Sequence, residues 1–120
     1  MLASPTSGPD NTFRIAGLVN PTIAANAGTE VTIEVVNADS DAANGLVITS
    51  RGSATSAMPM LSAAPSFRGS ALWFLGDPTS AGMHSGAISF TAARSGAYQY
   101  LCPVPDHAQT GMVETLLVTS

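Results

Sequence analysis

Gly96-Ala-Tyr-Gln-Tyr-Leu-Cys-Pro-Val-Pro-Asp-His-Ala-Gln-Thr-Gly-Met112 holds the single Cys of the chain, one of its two His and one of its five Met. Tyr98, Tyr100 and Cys102 alternate with Gln99 and Leu101, the period-two pattern of a strand that delivers Cys102 to its end. Pro103 and Pro105 have no N–H to give a ladder, so pairing stops there and a stiffened loop carries His107. Met112 then precedes a second strand-like run, Val113 to Val118, which is expected to pair beside the Cys102 strand.

One thiolate, one imidazole and one thioether therefore share a loop. These are soft and borderline donors, the set that suits copper cycling between Cu(I) and Cu(II). With 2 His and 5 Met in 120 residues, the chance of both falling at fixed offsets after the Cys is about one in 1,400. An isolated Cys is usually a small buried hydrophobe, and Met112 on its own would read as core filler. The full constellation favours a metal.

The spacing Cys-x4-His-x4-Met at the end of a C-terminal strand resembles the copper loop of the cupredoxins, the blue copper proteins. Within them it looks most like sulfocyanin and its bacterial relatives. The likeness runs from about Thr12 onward and is loose before Glu30. It implies an all-β, Greek-key β-sandwich or barrel. It also implies Cys102 as the short-bond thiolate ligand, His107 as an equatorial imidazole and Met112 as the weak axial thioether.

The same resemblance calls for a second His from an earlier loop, after a strand ending in a motif like Asn-x-Asp-Ser. Here that strand is Val31 to Asn37, followed by Ala38-Asp39-Ser40, and Asn44 stands at the expected His position. A neutral carboxamide is a much poorer copper ligand than a neutral imidazole. Three readings are open. Asn44 is an engineered or natural His-to-Asn change that leaves an equatorial position open to water or an added ligand. Alternatively, His84 swings in as a substitute from its loop before the strand Ala87 to Ala92, which is expected to run antiparallel to the Cys102 strand. In the third reading the protein binds copper poorly or is isolated metal-free. Asn44-Gly45 also favours positive φ and tight turns, so Asn44 has a purely conformational reading.

Working outward, 120 residues make one domain's worth of sequence, enough for a real core. Residues 1–11, rich in Pro, Ser, Gly and Asp, are expected to be a flexible tail, and 12–120 the folded domain. Thr12 to Gly17 reads as a first strand and Pro21 to Ala27 as a second, edge-like one. Val31, Ile33 and Val35 alternate most clearly of all. Ser50 to Gly69 loses regular patterning, and Met58 and Met60 within it are candidate soft ligands whose usual role is packing. Leu72 to Leu75 is an apolar run fit for a strand whose ends approach the core. Ala87 to Ala92 alternates, and Ala93-Arg-Ser-Gly96 is expected to join it to the Tyr98 strand as a short hairpin. Tyr98 and Tyr100 are expected in the core and not as redox groups. No apolar recurrence of helical period is sustained over eleven residues.

Charged residues make up only 10% of the chain, Lys is absent and the net charge is −4. With four scattered Arg and no basic stripe, nucleic-acid binding is excluded as a class. There is no apolar run of membrane-spanning length and no secretory leader, so Met1 is expected to be an initiator on a trimmed domain. The resemblance implies a monomeric one-electron carrier, not an enzyme, whose partners are redox proteins such as a cytochrome or terminal oxidase. Its expected location is periplasmic or extracellular, with a membrane anchor in the precursor. His107 would be the electron port, and Pro103, Val104 and Ala108 a docking rim. A copper-storage or chaperone protein, and a small copper enzyme acting at the open position, are the alternatives.

Overall fold

The computed structural model describes residues 1–5, 11–50 and 64–120. Ten strands appear among them: β1 (Leu2–Ala3), β2 (Phe13–Ile15), β3 (Leu18–Val19), β4 (Ile23–Asn26), β5 (Glu30–Asn37), β6 (Asn44–Thr49), β7 (Ala71–Leu75), β8 (Ser85–Thr91), β9 (Gly96–Leu101) and β10 (Val113–Thr119). No helix occurs among the described residues. They form two five-stranded sheets, one in the order β3-β2-β1-β5-β8 and the other β4-β10-β9-β6-β7. This is the all-β sandwich expected from short alternating runs broken by Gly and Pro.

The two strands flanking the metal-type loop pair with each other. Val113 lies opposite Leu101 and Leu116 opposite Tyr98, so the loop is a long hairpin connection between β9 and β10. β6 pairs along the other side of β9, with Val47 opposite Leu101. That places the start of β6 beside the end of β9. β4 is an edge strand, parallel to β10.

Alternation buries one face of each sheet. Val35, Ile88 and Phe90 from the first sheet meet Leu46, Ile48, Tyr100, Leu116 and Val118 from the second in one core, which also contains Cys102 and Met112. Phe13 meets Tyr100 edge-on with ring centroids 5.5 Å apart, and Phe67 stacks on Phe90 at 5.4 Å. Tyr100 is a core residue whose hydroxyl donates to the Pro21 carbonyl.

Two sequence expectations need correction. β8 does not form a hairpin with β9: it pairs with β5, from Glu30 opposite Thr91 to Val36 opposite Ser85, in the other sheet. Gly96 already belongs to β9, and the Ala93-Arg94-Ser95 link before it has no Gly or Asn for a tight hairpin turn. Ala92 instead exchanges backbone hydrogen bonds with Gly28 and Thr29, which carries the chain across to the second layer. The other correction concerns the opening residues. Leu2–Ala3 lies parallel to β5 and antiparallel to β2, and Ala3 and Ser4 are buried. Residues 6–10, and Met58 and Met60, lie outside the described residues.

Candidate metal centre

Cys102 follows the last residue of β9, and its N–H donates to the Met112 carbonyl at 3.1 Å, so the mouth of the loop is closed by one more ladder rung. Inside, Met112 N–H returns to the His107 carbonyl at 3.0 Å and Gly111 N–H to that of Ala108 at 3.2 Å. The Thr110 hydroxyl donates to the carbonyls of Asp106 and His107. These bonds within a few residues wind 104–111 into a tight coil, with Asp106 at φ 69°. Cys102 and Met112 are fully buried and His107 is half-buried.

Asn44, the first residue of β6, is fully buried, and its side chain reaches the same place. Its Oδ1 lies 2.8 Å from His107 Nδ1 and 3.5 Å from Cys102 Sγ, and the sulfur lies 3.5 Å from His107 Nδ1. The amide orientation is fixed from behind. Asn44 Nδ2 donates to Asn37 Oδ1 at 2.9 Å and to Asp39 Oδ2 at 3.3 Å, both acceptors, so the oxygen must face the centre. Because a carboxamide oxygen only accepts, the proton of the 2.8 Å contact sits on His107 Nδ1.

Asn37 is the hub of this support. Its Nδ2 donates to the carbonyls of Ala42, Leu75 and Gly76 at 2.9, 3.1 and 2.9 Å. Asp39 takes the Asp41 N–H on its other oxygen at 3.2 Å. From sequence both entered only as the Asn-x-Asp-Ser-like motif ahead of the expected His, with no role of their own in the site. The available signal was two short polar residues, Asn37 and Asp39, directly after a strand, a pattern that favours local turns.

The conformational reading of Asn44 is not supported, since neither Asn44 nor Gly45 has positive φ. Gly45 is required for a different reason. β6 and β7 shift register between Asn44 and Leu46, and a Cβ at Gly45 would lie 2.5 Å from the Leu72 carbonyl oxygen. The missing side chain lets the bulged backbone close in and aim Asn44 inward.

Burial pushes the Cys102 thiol up to about 11, and the charge of Asp39 adds to the rise, while the backbone N–H groups of Val104 and Gly45 facing the sulfur oppose it. Without metal the sulfur is a neutral thiol. The His84 backbone adjoins the site's support, its carbonyl accepting the Asn37 N–H at 2.9 Å, but its ring is exposed and Nδ1 contacts the Asp77 carbonyl at 3.1 Å, beside Gly76. The strand that follows it, β8, pairs with β5 in the first sheet and not with the Cys102 strand, so His84 comes near this end of the sandwich through β5. The expected docking rim also changes. Pro103 is buried and Ala108 packs on Val47 and Leu101 over the outer face of the second sheet, leaving Val104 half-buried.

The donors fit a copper-sized ion. Asn44 Oδ1, His107 Nδ1 and Cys102 Sγ make a triangle whose equidistant point lies about 2 Å from each, within reach of metal–nitrogen and metal–oxygen bonds. Among the described residues no three His, Cys, Asp or Glu gather as a metal cluster. A thiol, an imidazole, a thioether and an amide suit a soft or borderline ion and not magnesium or calcium.

Comparison with known proteins agrees. The family model described as the sulfocyanin (SoxE) domain matches residues 1–120. A rusticyanin from Acidithiobacillus ferridurans is 28% identical over 111 residues, covering 92% of this chain and 56% of that protein. The chain thus spans a little over half the length of this curated relative. Among solved structures, rusticyanin from Thiobacillus ferrooxidans superposes with a TM-score of 0.84 at 22% identity, over 98% of this chain and 73% of the other. Reduced rusticyanin gives 0.82 at 22%, over 98% and 75%. Reduced auracyanin from Roseiflexus castenholzii gives 0.63 at 24%, over 82% and 84%. Copper is the cofactor of this family. The chain belongs to the sulfocyanin (SoxE) family of cupredoxins.

Proposed function

We propose that this chain is a one-electron carrier that holds copper with Cys102 Sγ, His107 Nδ1 and Met112 Sδ, and with Asn44 Oδ1 in the place of the usual second imidazole. The observation that carries the reading is the convergence of Asn44, His107 and Cys102 within 2.8 to 3.5 Å of one another, with Met112 buried in the same core cluster as Cys102. When bound, copper supplies reversible exchange between Cu(I) and Cu(II). Everything else is done by the chain. Cys102 gives up its thiol proton, the His107 proton moves from Nδ1 to Nε2, and the amide of Asn44 keeps its place because Asn37 and Asp39 hold its nitrogen. Ladder bonds and the coil of 104–111 restrain the donors, which favours a small structural change between oxidation states.

His107 is the half-buried donor among fully buried ones, so its ring is the route for electrons to and from a protein partner. Asn44 fills what would be an open equatorial position, which argues for a carrier over an enzyme that admits a substrate there. As for its relatives, the proposed location is periplasmic or extracellular, and the working form is a monomer.

The test is Cu(II) titration followed by visible absorption and electron paramagnetic resonance, on the chain and on Asn44→Ala and Asn44→His. A thiolate-to-copper band in the chain, weakened or shifted by Asn44→Ala and strengthened in affinity by Asn44→His, supports the ligand set. No copper-thiolate band in any of the three would overturn it. Stoichiometric Cu(I) uptake without a Cu(II) band would point to storage.

A further inference from the structure

The N-terminal residues reach the metal loop at three places. Asn11 Nδ2 donates to Thr110 Oγ1 at 3.0 Å and Asn20 Nδ2 to the Gly111 carbonyl at 2.8 Å. The third contact falls on a proposed ligand: Ser4 Oγ lies 3.9 Å from Met112 Sδ, within hydrogen-bond range for sulfur. Both groups are buried, Ser4 being 3% exposed and Met112 0%.

Ser4 is held there in an unfavourable conformation. Its φ is 46°, the left-handed region that residues with a Cβ avoid, and its N–H is tied to the Thr12 carbonyl at 2.8 Å. Glycine would occupy that backbone at less cost, so the side chain has a use. A buried hydroxyl calls for a partner, and the thioether is a weak acceptor with lone pairs to offer.

We infer that Ser4 is a positioning residue that sets the strength of the axial bond from Met112 by donating its hydroxyl proton to Sδ. This rests on the ligand set proposed above. A thioether lone pair drawn toward a hydroxyl is less available to copper. The weakened donor disfavours Cu(II) more than Cu(I), because the higher charge gains more from each donor, and the reduction potential rises.

The experiment is a cycle on the copper-loaded chain: Ser4→Gly, Met112→Leu and the pair. Ser4→Gly keeps the left-handed backbone and removes the hydroxyl. It should shift the Cu(I)/Cu(II) ratio, in equilibrium with a redox mediator, severalfold toward Cu(II), and change the relative heights of the visible bands. In the Met112→Leu background the same substitution should leave the ratio where it was. Ser4→Ala, which removes the hydroxyl but keeps Cβ, should act in the same direction. Melting of the metal-free proteins gives a readout independent of copper, and Ser4→Gly should be less costly when Met112 is Leu. Equal shifts in both backgrounds, or no shift with Met112 present, overturn the inference. If Met112→Leu alone leaves bands and potential unchanged, Met112 is no ligand and the proposed site fails with it. If it moves them and Ser4→Gly does not, only the role of Ser4 is lost.

Discussion

Asn37 Oδ1 and Asn44 Nδ2 lie 2.9 Å apart, both residues fully buried, and this contact decides which end of the Asn44 amide meets the metal loop. Asn37 spends its own amide protons on three carbonyls from two separate connections. Asn37→Ala therefore leaves several buried acceptors unpaired and frees Asn44 to rotate. The metal-free protein is expected to lose roughly 2–4 kcal/mol in denaturant unfolding, summing unpaired buried groups at about 1–3 kcal/mol each with partial rescue by water. Copper affinity should fall as well. A variant as stable as the parent would show that the hub is replaceable.

Asp39 tests the same support with a smaller change. Asp39→Asn keeps the shape, removes a buried charge near the thiol and leaves the amide of Asn44 facing a neutral group. Since the charge of Asp39 helps hold the Cys102 thiol up, the thiol should ionise at lower pH in the variant. Thiolate absorbance in the ultraviolet, followed against pH in metal-free protein, measures this directly.

The thiol itself makes stability depend on pH. Its ordinary value of 9.0 applies to the unfolded chain, and burial raises it to about 11 in the fold. Below pH 9 both states keep the proton and stability is full. As pH rises toward 11 the unfolded chain loses its proton first, so the metal-free fold weakens by about 2–3 kcal/mol across that window. The slope should vanish in Cys102→Ala. Copper uptake at neutral pH must release this proton, so apparent affinity should climb by up to about tenfold per pH unit.

Gly45→Ala would place a methyl 2.5 Å from the Leu72 carbonyl oxygen, against backbone that has no flexible end to give way. Overpacking of this kind typically costs about 1–3 kcal/mol. Because the bulge also aims Asn44, the copper spectrum should change along with the melting temperature.

His84→Ala should leave the copper spectrum unaltered, since the ring is exposed and engaged with Asp77 and not with Cys102 or His107. Loss of the band in that variant would mean the loop rearranges on metal binding and His84 does reach the ion.

Much of the sandwich was legible because period two is a direct print of burial. β5, β8 and β9 were visible as alternating runs and β10 as a strand-like one, and the Cys102, His107 and Met112 spacing marked the loop. The pairing of β10 beside β9 was legible too, but the partner of β8 was not. Alternation says that Ile88 and Phe90 face a core and that Tyr98 and Tyr100 do too, but not that they face it from opposite layers. The ends of the apolar run Leu72 to Leu75 do meet the core, through Leu72 and Leu75, while Trp73 and Phe74 between them are 40% and 65% exposed because β7 is an edge strand. Asn44 was found as an anomaly of residue type. Its supporters Asn37 and Asp39, and the distant Ser4, have meaning only once three stretches of chain are brought to one point.

The ties from Ser4, Asn11 and Asn20 to the 110–112 turn join residues 91 to 108 positions apart. Closing loops of that span is slow, and the reward comes only when both ends have arrived. A growing chain emerging from the ribosome cannot assemble this pocket until almost all of it has been synthesised. Copper that arrives sooner meets a bare thiol on a disordered polymer, whereas copper that arrives later meets a finished mould.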